Sequence, residues 1–598
     1  MGSDGVEGVA PPGDDPRAWC VAAVARLARD APEEALLAAR EAVARDPRGE
    51  WGHRLASLAL ARLGRDEDAV ASARQAVRLA PGSWSARLRL AAALRRQPGR
   101  WTEAWAEALT AARFAPEEPD PHVLLGDLAM LRGDHDQARR AYAVAMRRAE
   151  GHLAARVNDA LRLLRWERPR GHHDPAWPVD PALTGAARRL LERWSRLVRL
   201  LLAVALAPVM IAAYGFARPD LGRIAGAAAL AAALAITAVC AARLPRDARP
   251  YLAPMLVRDP WLGLSVLITL VVAGAFAAGL VVLAPHFTSA AAGLLGIVLL
   301  NPLAVAVSRM LTEAWRGSAI AALTELTTAL RTDARDRAAR RNLDVALWLM
   351  AERLFCVVAA FLAAAWLLPG GRITLAAGAV AVPALMAWVR RRTGLAPYLT
   401  RLLHRDRWLA AALASLAVTA PAMAVAAAFP RVWFVAAAGP ALAAVFFALR
   451  AARAWWRGVP GPWKASLILC EAPGPRLPGD AVPPADLSAH ARRAFTYARS
   501  IVLTVSDETG EPRAMAVSAV TTVAETGELS LIAGEEAWES ARRDPRVAVY
   551  VADPFDRRSW IELRGIALPD DRGEVLRITP KRVFTGELPG RHQGRAVP

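Results

Sequence analysis

Between about Val198 and Leu449 the chain alternates long apolar runs with short arginine-rich ones. Eight runs stand out, at 198–216, 221–242, 262–284, 288–307, 347–368, 373–389, 408–429 and 432–449. Runs such as Leu262–Ala284 and Leu409–Phe429 contain no Asp, Glu, Lys or Arg. Each matches the roughly 20 residues that cross the hydrocarbon core of a bilayer. Most have no polar face at any period, and eight exceed what one soluble core could cover, so the pattern predicts eight membrane spans. On this basis residues 1–16 form a polar N-terminus, 17–165 a helical region and 166–197 a juxtamembrane linker. Four spans (198–307), a cytoplasmic helical connection (308–346) and four more spans (347–449) follow. A Pro/Gly-rich tether (450–485) then leads to a strand-rich domain (486–598).

The helical region repeats itself. Pro47, Pro81 and Pro116 are 34 and 35 residues apart, and the same step relates Ala35, Ala69, Ala104 and Ala138, then Ala42, Ala76, Ala111 and Ala145. Gly64, Gly99 and Gly133 keep it too. Small residues at fixed sites let paired helices approach closely; glycine ends the first helix of each pair and proline breaks the chain after the second. The region resembles the tetratricopeptide repeat, with Trp19 at the first aromatic position and Gly126 and Tyr142 at the small and aromatic positions of the last repeat. It departs where Ala39, Ala73 and Ala108 replace a bulky residue and Glu150 replaces a fourth proline. The resemblance implies an α-solenoid whose concave face binds a protein or peptide. Arg54, Arg87, Arg89 and His122 fall on first helices, where they either meet an acidic partner or form a solvated basic face.

The apolar middle is also duplicated. Pro250-Tyr251-Leu252 recurs as Pro397-Tyr398-Leu399, and Arg258-Asp259-Pro260-Trp261-Leu262 as Arg405-Asp406-Arg407-Trp408-Leu409, both 147 residues on. Gly222-Arg223-Ile224 is echoed by Gly371-Arg372-Ile373. Two tandem units of four spans each face the same way. Ionisable residues stay at span ends (Asp220, His286, Glu352, Arg353), and Pro208, Pro383 and Pro421 lack charged companions. An anchoring or oligomerising body therefore fits better than a transporter or a membrane sensor.

After Pro484 the pattern becomes short strands: Ile501–Val505, Arg513–Val523, Leu529–Ile532, Val547–Val551 and Trp560–Ile566, with turns at Asp507–Gly510 and Glu525–Glu528 and a helix over Glu535–Arg543. This spacing predicts a small antiparallel barrel. Residues 488–585 resemble the pyridoxamine 5′-phosphate oxidase-like flavin split barrel. The carrying motifs are Gly510-Glu511-Pro512-Arg513, Arg543-Asp544-Pro545-Arg546-Val547, Glu562-Leu563-Arg564-Gly565 and Ile578-Thr579-Pro580-Lys581-Arg582-Val583. The resemblance implies a homodimer holding FMN, a deazaflavin or haem at the subunit interface, and an oxidoreductase activity. The family grips the flavin phosphate with a Ser and a Lys/Arg just before Asp-Pro-Arg-Val. Here that stretch carries Glu535, Glu536 and Glu539 and no lysine. Arg513, Ser540 and Arg542 are the residues left to bind FMN or deazaflavin, and a barrel with no cofactor is the equal alternative.

The charge adds direction. The net charge of +19 concentrates in the linker before 198 and the loops at 243–261, 308–346 and 390–407, as in Arg331, Arg335, Arg337, Arg340 and Arg341, whereas alternate loops carry little beyond Arg218, Arg223, Arg372 and Arg431. That bias predicts a multi-pass protein of the cell inner membrane with both termini cytoplasmic, and assigns the excess charge to the lipid bilayer rather than to nucleic acid. Cys20, Cys240, Cys356 and Cys470 have no metal-ligand spacing, no apolar leader precedes residue 17, and no nucleophile–base pair appears. The expected function is a membrane-bound flavin-type oxidoreductase module with a protein-binding solenoid. The alternatives are a non-catalytic scaffold whose barrel only dimerises, and a transporter with regulatory ends.

Overall fold

A computed structural model describes residues 13–163, 172–174, 176–282, 318–332, 337–347, 388, 391–392, 394, 396–429, 433–456, 477–517, 519–524, 527–556, 558–570 and 575–587. They fall into two compact units. One holds the residues up to Leu128, Val144–Glu150 and those from 477 on; the other holds Ala129–Ala143 and the chain from Gly151 to Trp456.

The N-terminal region is built of helix pairs at the spacing read from sequence. α1 (Pro16–Ala28) packs on α2 (Pro32–Arg45), α3 (Glu50–Arg62) on α4 (Asp66–Leu79) and α5 (Trp84–Leu94) on α6 (Trp101–Phe114). α7 (Pro119–Arg132) and α8 (His135–Arg148), divided between the two units, are the fourth pair, and α9 (Leu153–Leu163) follows. The alanine ladder explains the close pairing: Ala35, Ala69, Ala104 and Ala138 are wholly buried, as are Ala39, Ala73 and Ala108. Gly64, Gly99 and Gly133 have φ of +77°, +84° and +83°, the left-handed cap that ends the first helix of a pair. In the first pair Asp30 takes this position at φ +63°, one of the few residues besides glycine that tolerates it.

In the second unit, α10 (Pro181–Met210) continues through a π turn to Gly215, and α11 (Pro219–Ala242) follows. A short helix, α12 (Leu252–Arg258), precedes α13 (Pro260–Val282). α10 with its π turn, α11 and α13 are the three helices, among the described residues, long and apolar enough to cross a membrane, with mean hydropathies of 2.2, 2.2 and 2.5. Leu200, Val204, Ile224, Leu234, Leu267 and Leu270 on them are each more than half exposed. α14 (Ser318–Thr332) lies in the expected cytoplasmic connection, and α15 (Ala396–Arg405), α16 (Arg407–Ala428) and α17 (Trp433–Trp456) follow among the described residues. α16 and α17 coincide with the spans expected at 408–429 and 432–449. The spans expected at 288–307, 347–368 and 373–389 lie outside the described residues, except for positions 347 and 388.

The sequence duplication reappears as one local device. Asp259 accepts from the Leu262 N–H at 3.3 Å ahead of α13, and its other oxygen is 2.9 Å from Arg188 Nε. Asp406, 147 residues on, caps α16 through the Leu409 N–H at 3.1 Å and pairs with Arg450. Each apolar helix thus starts from an aspartate that serves its first turn and neutralises an arginine from a neighbouring helix.

From 477 on the chain rejoins the first unit. α18 (Ala489–Tyr497) precedes seven strands, β1 (Ile501–Ser506), β2 (Pro512–Val517), β3 (Ala519–Val523), β4 (Leu529–Ile532), β5 (Arg546–Ala552), β6 (Ser559–Pro569) and β7 (Val575–Glu587), with α19 (Glu535–Arg543) between β4 and β5. They form one antiparallel sheet in the order β2-β1-β5-β6-β7-β4-β3. The two edge strands, β2 and β3, are consecutive in the chain and one residue apart. Ile501, Leu503 and Val505 alternate inward with Val547, Val549, Val551, Ile561 and Leu563, and Phe495 of α18 and Ala537 and Ala541 of α19 close the core. The sequence pattern located β1, β4, β5 and β6 and the helix over 535–543; β7 falls in a segment with Thr, Pro and Lys interrupting its apolar positions.

Candidate functional site: a repeat groove filled by the chain's own segment

The first helices of the second, third and fourth repeats line a groove, and residues 478–486 lie along it. Gly479–Ala481 form one buried 3₁₀ turn. The Gly479 N–H donates to Asp120 Oδ2 at 2.8 Å, and Trp51 Nε1 donates to the Ala481 carbonyl at 3.2 Å. Trp51 and Asp120 hold the same repeat position, 34 and 35 residues either side of Ser85. Arg54 is wholly buried between them: its guanidinium donates to the Asp480 carbonyl and, at 2.9 Å, to that of Val482. The Glu50 carboxylate, 2.5 Å from Nε, fixes the guanidinium from one turn back. Arg89 Nη1 lies 3.3 Å from Asp480 Oδ2, both side chains being almost fully buried. At the exit Arg17 donates to the Pro484 carbonyl at 3.2 Å and pairs with Asp486. The groove reads main-chain carbonyls with a rigid planar cation and one acidic side chain with a second, a combination suited to a polypeptide whose carbonyls are not used by regular secondary structure.

Of the four residues expected to face a partner, Arg54 and Arg89 meet this segment. Arg87 and His122 serve the solenoid itself. Arg87 Nε donates to the Pro81 carbonyl at 2.9 Å, and His122 Nε2 sits 3.3 Å from that of Pro116. His53 makes the same contact with Pro47 at 3.4 Å, so one side chain in each of three repeats ties the first helix to the turn preceding it. Arg87 also binds Glu107 at 2.8 Å. Burial lowers the pKa of both His53 and His122, which keeps these ties neutral.

Asp480 is the strained member. Burial pushes its carboxyl above the ordinary carboxylate range, against the pull of Arg89 and Arg54, and among the described residues neither oxygen has a hydrogen-bond donor. An acid whose pKa is raised in the seated state holds its proton more tightly there than when released. Seating is therefore strongest below the ordinary value near 3.8 and weakens as pH rises through the raised value. Hydrogen exchange at the Gly479–Val482 amides, corrected for intrinsic rates, should show protection falling with pH in that direction. Asp480→Asn should flatten the dependence and protect these amides better than the parent at neutral pH.

Beside this segment the sheet docks on the repeats. Arg577 donates to the Leu79 carbonyl at 2.9 Å while paired with Glu528, and Thr579 donates to Glu528 at 2.8 Å. Lys581 reaches the Phe114 carbonyl at 3.3 Å and pairs with Glu117; Arg113 donates to the Arg542 carbonyl at 2.7 Å. A Cβ on Gly82 would fall 2.4 Å from Thr579 Oγ1, so the α4–α5 turn touches β7 directly. A cleft of about 950 Å³ remains between segment, repeats and sheet, lined by Trp51, Trp84, Arg492 and Lys581 among others. Cys20 also borders it, but burial lifts its thiol to about 12, which keeps it protonated and inert.

The three residues expected at a flavin phosphate are each placed or engaged elsewhere within this chain. Arg513 on β2 pairs with Glu536. Ser540 is 3% exposed on the inward face of α19, with Ala537 and Ala541. Arg542 lies outside it, its guanidinium 4.3 Å above the Trp538 ring. The first turn of α19 presents Glu535 and Glu536, so a phosphate would meet carboxylates where it needs N–H groups and a free cation. The sequence motif around Lys581 is spent on the repeats instead.

Trp51, Asp120, Gly479 and Asp480 went unread in the sequence. One signal existed: positions 51, 85 and 120 share a repeat register yet are Trp, Ser and Asp, while the packing positions stay alanine. Register positions that vary in chemistry are those that face something other than the neighbouring helix.

No family model and no curated protein matches this chain. Solved structures with helical repeats do. One is from a functional characterisation of Pseudomonas aeruginosa pilF, at 19% identity over 25% of this chain and 68% of that one, with a TM-score of 0.23. Another is TTC0263, a thermophilic TPR protein of Thermus thermophilus, at 18% identity over 26% and 84%, with a TM-score of 0.24. A third is YrrB, described as a TPR protein with an unusual peptide-binding site, at 16% identity over 25% and 77%, with a TM-score of 0.21. The repeat assignment rests on the helix pairs and their register.

Proposed function

We propose that this protein is a membrane-anchored scaffold whose tetratricopeptide-like array clamps a short turn-containing segment, its own residues 478–486, and so holds the strand-rich domain against the repeats. The observation that carries the reading is the buried Arg54 guanidinium, committed to two main-chain carbonyls 426 and 428 residues away in sequence. Three long apolar helices with outward-facing Leu, Val and Ile support membrane anchoring. Residues before 128 and after 477 share one compact unit, which supports an even number of crossings by the chain between them. The arginine-rich loops put that unit on the cytoplasmic face. Flavin redox chemistry is left out of this reading because Arg513 is paired with Glu536, Ser540 faces inward and Arg542 stacks on Trp538.

A protease site inserted near position 465 of the full chain tests the clamp. After cleavage in detergent the C-terminal fragment should co-elute with the rest, and in intact vesicles both fragments should resist carbonate extraction together. Separation of the fragments on cleavage alone would sink the reading.

A further inference from the structure

The turn that joins β5 to β6 is built to hold one ring out. Asp553 is buried at its base, where its N–H donates to the Ser559 carbonyl at 2.9 Å and its Oδ1 takes the Phe555 N–H at 2.9 Å. His490 Nε2 of α18 lies 3.1 Å from the other oxygen. Asp556 then takes the N–H groups of Arg558 and Ser559 at 2.5 and 2.9 Å. Two aspartate turns in succession thus fix the backbone on either side of Phe555, yet the residue they present is 58% exposed. Tyr497, at the end of α18, is 60% exposed and meets the Phe555 ring edge-on at 5.7 Å. Among the described residues of the strand-rich domain these are the most exposed large apolar side chains.

Cations surround the pair. The Arg493 guanidinium, one turn back on α18, lies over the Phe555 ring at 4.9 Å. Arg558 belongs to the same turn, and Arg499 stands two residues before Ile501, the β1 residue that pairs with Val551. All three are exposed, and none makes an ion pair among the described residues. Of the carboxylates at this end of the sheet, Asp553 is buried against His490 and Asp556 spends both oxygens on its own turn, while Glu587, opposite Ser559, is exposed. Two rings of about 150–250 Å² each fall short of the roughly 800 Å² per partner that a stable protein interface buries. An aromatic pair rimmed by unpaired arginines matches instead the headgroup layer of an anionic bilayer, where amphipathic rings settle and each arginine adds attraction. Residues 457–476 tie the domain to α17, so the patch need not hold a membrane unaided: a tethered contact of low affinity is occupied through its effective concentration.

We propose that Phe555 and Tyr497, with Arg493, Arg499 and Arg558, form a contact with the anionic headgroup layer of the membrane that carries this chain. The rings enter the interface and the guanidiniums pair with lipid phosphates. The contact rests on the membrane-anchored reading above and adds to it the face by which the strand-rich domain meets lipid.

The test uses the full chain with Phe555→p-benzoylphenylalanine, a photo-crosslinking aromatic, reconstituted in vesicles of phosphatidylcholine with or without phosphatidylglycerol. Flotation first reports whether the chain is held by the vesicles. After irradiation, mass spectrometry of the peptide containing position 555 should find a lipid adduct, richer with phosphatidylglycerol. Arg493→Gln, Arg499→Gln and Arg558→Gln combined should lower its yield about fivefold or more, and high salt, which needs no substitution, should lower it too. The same label as Glu508→p-benzoylphenylalanine, in the β1–β2 turn at the other end of the sheet, should give no adduct. Chain that floats but forms no adduct at 555 overturns the proposal alone. So does an adduct indifferent to lipid charge, one equally strong at 508, or a cross-link to a second copy in place of lipid. Chain that fails to float removes the anchored reading, and this contact with it.

Discussion

Arg54→Ala should release residues 478–486 from the groove and weaken the first unit by about 3–5 kcal/mol, the range for removing one partner of a buried ion pair. Three groups lose their donor at once: the Glu50 carboxylate and the carbonyls of Asp480 and Val482. Glu50 is 9% exposed and cannot turn to bulk water without moving α3. Asp480 then retains Arg89, with Arg62 acting more weakly, as counter-charge. Arg54→Lys should recover little, because a single ammonium cannot address a carboxylate and two carbonyls in one plane. The readout is hydrogen exchange across Gly479–Val482 in the full chain, with the core amides of β5 as an internal standard. Loss of protection confined to the segment, with β5 unchanged, is expected. Equal protection in parent and Arg54→Ala would mean that the carbonyls do not depend on Arg54 and that the groove is held by the sheet contacts instead.

The same contrast explains what the sequence disclosed. The solenoid was legible because helix packing repeats: each buried alanine at 35, 69, 104 and 138 meets the same steric demand, and each left-handed cap asks for glycine, so the step survives in the letters. The strands were legible for a similar reason, period-two burial along β1 and β5. The groove contact has no period. It joins an arginine near position 50 to carbonyls near 480, and a carbonyl carries no residue identity, so nothing in Pro478-Gly479-Asp480-Ala481 announces it. Proline and glycine there read as a tether because both suit linkers; seated, they supply a backbone slim enough to enter the groove. Charge misled in the other direction. Arg54, Arg87 and Arg89 look alike in sequence, yet only burial and partner separate the two that hold the segment from the one that braces Pro81.

The strand-rich domain teaches a parallel lesson about motifs. Lys581 and Arg582 belong to the stretch that carries the flavin-barrel resemblance, but here they meet Glu117 and Glu118 of the repeats. The Asp544-Pro545-Arg546 corner is likewise closed on itself, Asp544 taking the Arg546 guanidinium, the Arg546 N–H at 3.1 Å and the Ser506 hydroxyl at 3.2 Å. Residue order within a barrel reports the path of the chain. Which ligand it serves depends on where the cations point, and these point at neighbouring protein.

Gly479→Val should have an effect as large as the loss of Arg54 while leaving every charge in place. A Cβ at this position would stand 2.6 Å from Asp120 Oδ2 and 2.7 and 3.2 Å from Trp84 Cη2 and Cζ3. Asp120 cannot retreat without giving up the Gly479 N–H it accepts, and Trp84 is fixed as the first residue of α5. Overpacking of this kind typically costs about 1–3 kcal/mol, and here it also removes the main-chain bonds on either side, since Arg54 and Trp51 reach their carbonyls only when the 3₁₀ turn is fully seated. Limited proteolysis of the full chain should find a new cleavage between 478 and 486 in Gly479→Val and none in the parent. A steric cause predicts its own remedy. Trp84→Phe deletes both crowding ring atoms, so Gly479→Ala combined with Trp84→Phe should resist cleavage better than Gly479→Ala alone, the non-additivity expected of two groups in contact. If the double variant is no better than the single one, the glycine is needed for its backbone freedom in the unseated chain and the groove does not measure the width of what enters it.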